Sequence, residues 1–243
     1  MNDKKTDKCR KCCILLSGGI GSRMGSDIPK QYIKVCGMTI FEHTLQSVLK
    51  WDGMDSLIVV ADPAYHEEVG TIIRENISSE ISFLGFSSPG ENRQGSIINA
   101  LNDLAPYADC DTVIMIHDAV RPLVSKELLD ECDRKLKDAD GVMPYLPMKD
   151  TVYVSRGSGK DLMIDRNIDR DTVVAGQTPE FFRYEKYKKC CDVLSERELG
   201  LIHGSTEPAV TGGLKIALVS GDEWNFKITT KKDLERFAEV CKK

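Results

Sequence analysis

The sequence predicts an α/β fold, a three-layer sandwich in which a mostly parallel sheet has helices on both faces. Short apolar runs rich in β-branched residues recur along the 243-residue chain, and segments with helical spacing lie between them. A glycine-rich stretch follows directly on the first apolar run. Because such alternation builds parallel strands joined by crossover helices, it favours a Rossmann-like architecture with a mixed but mainly parallel sheet.

These patterns place the elements in chain order. Strands are predicted at 13–17, 57–61, 81–84, 112–116, 141–145 and 215–219. Helices are predicted at 40–51, 64–75, 94–104, 126–137 and 231–243, where apolar residues recur every three or four positions. In an open sheet of this kind, ligands gather at the carboxyl ends of the strands.

One segment, 148–172, breaks the alternation. It is polar and contains glycine, and its pattern is typical of a hairpin with little to bury. We therefore expect a β-arm that projects from a single domain spanning residues 1–243. The length and the 41% hydrophobic content are sufficient for one complete core.

Composition and charge limit the classes of function. The net charge is −5 and the basic residues are interspersed with acids, which argues against nucleic-acid binding. No apolar run approaches the roughly 20 residues of a membrane span, and the charged start lacks a signal-peptide core. Nine cysteines, an odd number, do not resemble a disulfide framework. We expect a cytoplasmic protein with reduced thiols, in which Cys9, Cys12 and Cys13 lack the fourth ligand of a structural zinc site.

The glycine-rich stretch is the first candidate site. Glycines allow backbone N–H groups to turn toward an anion, and a permanently charged guanidinium and a mobile ammonium follow at Arg23 and Lys30. The third glycine of a dinucleotide fingerprint is missing, because Met24 stands in its place. By itself the loop fits a triphosphate site and a plain structural turn equally well. Its candidate nucleotide-binding residues are Ser17, Gly18, Gly19 and Gly21.

Further motifs make the interpretation specific. The segments GGIGSRM (18–24) and PKQY (29–32) are followed in order by GENRQGS (90–96), HDAVRP (117–122), KDT (149–151), QTP (177–179), TE (206–207) and NFKIT (225–229). In this order they resemble the 2-C-methyl-D-erythritol 4-phosphate cytidylyltransferases and the related ribitol-5-phosphate cytidylyltransferases. The resemblance covers nearly the whole chain from Cys13 onward.

The resemblance implies a CTP site with magnesium. Gly90, Glu91 and Ser96 would join the first loop around the cytosine and ribose, although Ser96 also fits a helix cap. Asp118, which ends the strongest central strand, would bind Mg²⁺ and the nucleotide phosphates, although an aspartate here can also cap a turn. Asn225 would complete the metal site, by looser analogy.

The resemblance also implies the catalytic and acceptor groups. Arg23, Lys30 and Lys227 would stabilise negative charge on the α-phosphate and on leaving pyrophosphate. The acceptor, a polyol phosphate, needs no dedicated base because its phosphate monoester is itself the nucleophile. The arm would interlock in a homodimer, with Arg170 serving the neighbouring site, although Arg170 also fits a solvated surface charge. The implied acceptor-binding residues are Arg121, Thr151, Arg170, Thr178 and Thr206.

Several alternatives stay open at this point. 2-C-methyl-D-erythritol 4-phosphate is the first choice of acceptor, and ribitol 5-phosphate or another pentitol phosphate is the second. Lys149 stands where many methylerythritol enzymes have arginine, and Ser17 stands where alanine is usual. A non-catalytic module that senses nucleotides is a remote alternative from a different class. A dinucleotide-dependent dehydrogenase is disfavoured by the missing third glycine.

Overall fold

A computed structural model of the chain describes residues 10–19 and 28–242, and it confirms the predicted α/β architecture. Twelve strands and eight helices lie in these residues, joined by turns and short 3-10 segments. In chain order they are β1 (Lys11–Leu16), β2 (Lys34–Val35), β3 (Met38–Thr39), α1 (Ile40–Val48), β4 (Ser56–Val60), α2 (His66–Asn76), β5 (Ser82–Ser87), α3 (Arg93–Leu104), β6 (Val113–Asp118), α4 (Lys126–Lys135), β7 (Gly141–Pro147), β8 (Val152–Arg156), β9 (Met163–Ile168), β10 (Val174–Gly176), β11 (Glu180–Arg183), α5 (Tyr184–Asp192), α6 (Glu196–Leu199), α7 (Thr206–Thr211), β12 (Ile216–Ser220) and α8 (Lys231–Cys241).

The main sheet is mixed, with parallel strands at its centre. Its order is β10-β7-β11-β6-β1-β4-β5, and β12 also pairs with β7. The pairs β6–β1, β1–β4, β4–β5 and β12–β7 are parallel. Strand β11 runs antiparallel to both β6 and β7, and β10 runs antiparallel to β7. The prediction of a mostly parallel, mixed sheet is therefore correct.

Both faces of the sheet are buried, which gives the predicted three layers. A hydrophobic cluster lies on each face. Successive residues of β1 alternate between these two clusters, with Cys13 and Leu15 on one side and Cys12 and Ile14 on the other. Helices α1, α2 and α4 cover the first side, whereas α3 and α5 cover the second. Because Cys12 and Cys13 point to opposite faces, they do not converge on one zinc ion.

The helices begin where side chains cap them. Thr39, Asn92 and Ser125 accept hydrogen bonds from backbone N–H groups in the first turns of α1, α3 and α4. Helix α1 ends at Val48, before the predicted limit of 51, because 49–51 form a turn that tucks Trp51 against the core. Helix α8 packs Phe237 onto a small separate cluster with Val35 and Ile228.

The segment for which an arm was predicted contains a hairpin. Strands β8 and β9 pair with each other in their own two-stranded sheet, apart from the main one. Large apolar side chains on the hairpin are exposed, among them Tyr153, Leu162, Met163 and Ile164. Among the described residues, no helix combines the length and apolar character needed to cross a membrane.

Candidate active site

A cleft of about 480 Å³ opens where four neighbouring parallel strands end. The register of the sheet places the last residues of β6, β1, β4 and β5 side by side, as Asp118, Leu16, Val60 and Ser87. The loops that follow these strands therefore converge at one edge of the sheet. We call this space the first cleft.

The first loop, described as far as Gly19, is held by the PKQY segment. The Gln31 side chain donates hydrogen bonds to the carbonyl oxygens of Ser17 at 2.6 Å and Gly19 at 2.8 Å. Ser17 itself is buried, and its hydroxyl donates to the Tyr32 hydroxyl at 3.1 Å. A short 3-10 turn at Lys30–Tyr32 buries Gln31 and Tyr32, while Lys30 lines the cleft. The first loop, as far as Gly19, and the PKQY segment therefore form one unit.

Space for a ligand is built into this loop at one glycine. A Cβ added at Gly19 would meet no atom of the described residues within 4 Å, whereas one at Gly18 would lie 2.9 Å from Pro89. Gly18 is therefore required by packing, and Gly19 leaves an open approach to the backbone. Two predicted residues of this loop, Gly21 and Arg23, lie outside the described residues, and their roles stay predictions.

The second loop, between β5 and α3, has an internal hydrogen-bond network. The Ser96 hydroxyl accepts from the Gly90 N–H and donates to the Asn92 carbonyl, both at 3.0 Å. Asn92, rather than Ser96, caps helix α3, because its side chain accepts from the Gly95 N–H at 2.9 Å. Ser96 therefore shapes the loop that presents Gly90 and Glu91 to the first cleft.

Asp118 lies at the centre of the site, surrounded by three cations. Its carboxylate is 3.2 Å from Arg93 Nε, 3.0 Å from Lys227 Nζ and 3.5 Å from Arg121 Nε. Only 5% of the residue is exposed. Burial alone would raise the pKa of Asp118, but Arg93, Lys227 and Arg121 hold that pKa well below its usual range. The group is therefore a carboxylate at neutral pH.

Arg93 connects this centre to a second carboxylate, and sequence reasoning did not place it in the site. Its guanidinium reaches Asp118, donates to the Ser205 hydroxyl at 2.6 Å and lies 3.6 Å from Glu180. Burial opposes its charge, yet Asp118 and Glu180 raise the pKa of Arg93. One feature could have identified it: Arg93 follows a glycine-containing loop and is the first residue of α3.

Glu180, the second carboxylate, was also missed. It is buried at the start of β11 and accepts hydrogen bonds from the Ser205 and Thr206 hydroxyls. Burial raises the pKa of Glu180, against the opposing effects of Arg93 and Thr206. The available signal was a carboxylate directly before two phenylalanines, in the sequence EFFR of Glu180–Arg183.

A second cleft of about 610 Å³ lies on the other side of the same cluster. It shares Arg93, Asp118 and Lys227 with the first cleft. Three of the predicted acceptor residues, Arg121, Thr178 and Thr206, line it. Its other lining residues include Met143, Gln177, Glu180, Ser205, Glu207 and Val210.

Two predicted acceptor residues lie elsewhere in this chain. Thr151 and Arg170 belong to the arm region, and neither lines the first or the second cleft. Arg170 is exposed and donates to the carbonyl oxygen of Lys149 at 3.0 Å. The expectation that Arg170 serves a neighbouring subunit therefore stays a prediction.

His117 ties the shared cluster to the second cleft. It is fully buried, its Nε2 lies 3.1 Å from the Arg121 carbonyl, and its Nδ1 lies 3.2 Å from the Thr178 hydroxyl. Burial lowers the pKa of His117 to about 4. The ring is therefore neutral at physiological pH, and it positions Arg121 and Thr178.

The oxygen donors of the site suit magnesium. Mg²⁺ in proteins is held by one or two carboxylates together with substrate phosphates, and Asp118 offers such a carboxylate to both clefts. Asn225 is buried and lines neither cleft, and its Nδ2 donates to the Thr178 carbonyl at 2.7 Å. Its Oδ1 has no hydrogen-bond partner among the described residues. Asp118 is thus the better placed of the two predicted metal ligands.

Comparisons with known proteins agree with this geometry. The family model described as 2-C-methyl-D-erythritol 4-phosphate cytidylyltransferase matches residues 11–242. The enzyme of that name from Geobacter metallireducens is 33% identical over 91% of this chain and 93% of its own length. The bifunctional ribulose 5-phosphate reductase/CDP-ribitol pyrophosphorylase Bcs1 of Haemophilus influenzae is 31% identical over 94% of this chain, which spans only 47% of that relative.

A solved structure supports the fold. The 4-diphosphocytidyl-2C-methyl-D-erythritol synthase of Anaerococcus prevotii superposes with a TM-score of 0.79, over 97% of each chain and at 24% identity. The likeness therefore extends over nearly the whole architecture, including the strands that carry the two clefts. Together with the match over residues 11–242, these findings show that the chain belongs to the 2-C-methyl-D-erythritol 4-phosphate cytidylyltransferase family.

Proposed function

We propose that the chain transfers the cytidylyl group of CTP to a sugar-alcohol phosphate and releases pyrophosphate. The observation that carries this proposal is the pair of clefts that share Arg93, Asp118 and Lys227. A transferase must hold donor and acceptor on opposite sides of the phosphorus that is exchanged. The first cleft, with its glycine loops, suits the nucleotide, and the second, with basic and hydroxyl groups, suits a phosphorylated polyol.

The chemistry needs positioning and charge. An oxygen of the acceptor phosphate forms a bond to the α-phosphorus of CTP, and the bond from that phosphorus to the bridging oxygen of pyrophosphate breaks. Negative charge accumulates on the non-bridging oxygens during this step. Lys227 and Arg93 face both clefts, so they can contact the phosphates of both substrates. Lys30 lines the nucleotide side, and Arg23 is predicted to join it.

The residues of the site support a requirement for Mg²⁺. When bound, the ion would neutralise triphosphate charge and polarise the α-phosphate. Asp118 would hold it, and the cations that now surround Asp118 would move their hydrogen bonds to the phosphates. Three cations and two carboxylates leave the cluster with one excess positive charge, which favours an anionic ligand.

The preferred acceptor is 2-C-methyl-D-erythritol 4-phosphate, in line with the matching family model. Ribitol 5-phosphate is the second candidate, favoured by the similarity to a CDP-ribitol pyrophosphorylase. Purified protein incubated with CTP, Mg²⁺ and each acceptor, with pyrophosphate release as the readout, tests both. Release with the first acceptor alone supports the preferred assignment, and release with neither contradicts the proposed function. A non-catalytic sensing module would bind CTP and give no release.

A homodimer through the arm is part of the same proposal. The exposed apolar side chains of the β8–β9 hairpin, Tyr153, Leu162, Met163 and Ile164, support it because such residues are usually covered. Sedimentation equilibrium of the whole chain, and of a Leu162→Lys/Ile164→Lys variant, tests it. A dimeric wild type and a monomeric variant are expected. We also propose a cytoplasmic location, where thiols are kept reduced.

A further inference from the structure

Glu180 is a buried carboxylate at the wall of the second cleft, without a role in the chemistry described above. Only 5% of the residue is exposed, and it lines the cleft. The next two residues of β11, Phe181 and Phe182, are fully buried in the two opposite faces of the core. The strand is therefore rigidly placed, and the position of the carboxylate is set by the sheet.

The hydrogen bonds of Glu180 leave part of its acceptor capacity unused. One oxygen accepts from Ser205 and the other from Thr206, and Arg93 lies 3.6 Å from the first. An ionised carboxylate offers about four acceptor sites. The side chains that contact this carboxylate, Ser205, Thr206 and Arg93, all line the second cleft, so the remaining acceptor sites suit hydroxyl donors that enter it.

The second cleft is also polarised. Lys227 lies at its junction with the first cleft, and Arg121 lines the second cleft beside the same Asp118. Glu180 and Thr206 lie beyond the Arg93 guanidinium, at the start of β11 and α7. A polyol phosphate has the matching polarity, with an anionic group at one end and hydroxyl donors along the rest.

We propose that Glu180 accepts hydrogen bonds from the hydroxyls of the acceptor, and that its charge excludes acceptors with an acid group at the end remote from the phosphate. This inference rests on the proposed function. It makes Glu180 a determinant of substrate class, which selects polyol monophosphates over phosphorylated sugar acids. A buried charge is effective in such selection, because little water or salt lies between Glu180 and a carboxylate of the acceptor to screen their repulsion.

A purely structural role predicts different behaviour. If Glu180 only ties Arg93 to helix α7, its loss would disturb Arg93 and so affect CTP and every acceptor alike. If it contacts the acceptor, its loss changes the choice among acceptors. The decisive quantity is therefore a ratio of kcat/KM values for two acceptors, measured on one protein.

The experiment compares two acceptors. One is whichever of the two candidate polyol phosphates has the higher kcat/KM, and the other is the same compound with its terminal CH2OH oxidised to a carboxylate. Pyrophosphate release is followed with wild type, Glu180→Gln and a surface control, Glu131→Gln, whose residue pairs with Arg134. For wild type we expect a preference for the polyol phosphate of about 100-fold or more in kcat/KM. Glu180→Gln should reduce the ratio of the two kcat/KM values by about tenfold or more, while its KM for CTP stays unchanged. Glu131→Gln should have the same ratio as wild type.

A second measurement needs no variant and covers the case in which Glu180→Gln fails to fold. The analogue that lacks the terminal hydroxyl should have a KM at least about tenfold above that of the polyol phosphate with wild type. Equal efficiency of wild type with polyol and acid, or an unchanged ratio in folded Glu180→Gln, would overturn the inference while the cytidylyltransferase activity stands. Absence of pyrophosphate release from wild type with any polyol phosphate would overturn both.

Discussion

The amino group of Lys227 lies 3.0 Å from Oδ2 of Asp118 and joins the loop after β12 to the carboxyl end of β6. This contact places a mobile cation at the junction of the two clefts. The carboxylate holds the ammonium group in position, and in the proposed reaction a phosphate would take the place of the carboxylate. Chemistry at the junction therefore depends on both partners, and each can be tested separately.

Replacement of Lys227 by methionine is expected to lower kcat by about 100- to 1000-fold, the usual cost of removing one charge stabiliser from a transition state. Methionine keeps the length of the side chain but not its charge. Lys232→Met, at an exposed position of α8, is the matched control and should retain full turnover. Pyrophosphate release at saturating CTP is the measurement. A Lys227→Met enzyme with normal kcat would remove Lys227 from the chemistry.

Replacement of Asp118 by asparagine should affect the binding of CTP and the Mg²⁺-dependent turnover differently. The variant loses a carboxylate that faces the phosphates, so CTP should bind in EDTA at least as tightly as to wild type. Mg²⁺-dependent turnover should fall by about 100-fold or more. Calorimetric titration of CTP with and without Mg²⁺ checks this, with Asp111→Asn at an exposed turn as control. Weaker binding of CTP in EDTA would show that Asp118 mainly orders the cations.

Two glycines should respond differently to alanine. A Cβ at Gly90 would lie 2.5 Å from the backbone of Gly95, so Gly90→Ala is expected to lose about 1–3 kcal/mol of unfolding free energy. A Cβ at Gly19 would meet none of the atoms that the structure describes, so Gly19→Ala should keep its stability within about 0.5 kcal/mol. Its CTP affinity should nevertheless fall on the order of tenfold, about 1.4 kcal/mol, if phosphates approach there. Urea unfolding and CTP titration of both variants measure the contrast.

The stability of the fold should depend on pH through His117. Its pKa is about 4 in the folded chain against 6.5 in the unfolded one, because burial disfavours the charged ring. Between these values the unfolded chain binds the extra proton, so stability falls as the pH falls from 6.5 to 4. The loss is about 3 kcal/mol. Above pH 6.5 the contribution of His117 to the pH dependence vanishes.

Replacement by asparagine isolates this contribution. The difference in unfolding free energy between wild type and His117→Asn should shrink by that amount from pH 7 to pH 4, in urea titrations at several pH values. His203→Asn, at an exposed position, is the matched control. A pH-independent difference for His117→Asn would contradict the assignment.

Much of the fold follows from local patterns in the sequence. The six predicted strands all exist, and their ends shift by at most a few residues, because buried parallel strands are continuous apolar runs that stand out from amphipathic helices. Strand β11 and helix α5 were missed. The strand has only four residues and starts with Glu180, while the helix is rich in lysine and buries just one side. The secondary structure of such segments is determined by tertiary contacts rather than by local propensity.

Residues of the site whose role depends on distant contacts are likewise hard to predict from the sequence. Asp118 follows from its position at the end of a strand, and the glycine loops follow from their motifs. Arg93 and Glu180 are different, because their partners are far away in sequence and meet only when β11 inserts beside β6. The helix cap at Asn92 instead of Ser96 has a simpler cause. Asn92 lies one residue before α3, which is the position that a capping side chain needs.

The residues shared by the two clefts have a kinetic consequence. Arg93, Asp118 and Lys227 face both spaces, so whichever substrate arrives first alters the charges that meet the other. Thermodynamic reciprocity then requires CTP and the acceptor to change each other's affinity by the same factor. In the proposed reaction the acceptor phosphate attacks CTP directly, so both would have to be bound together, without a cytidylylated enzyme in between. Initial-rate plots with both substrates varied should therefore intersect, as in a sequential mechanism, and not run parallel, as in a ping-pong one.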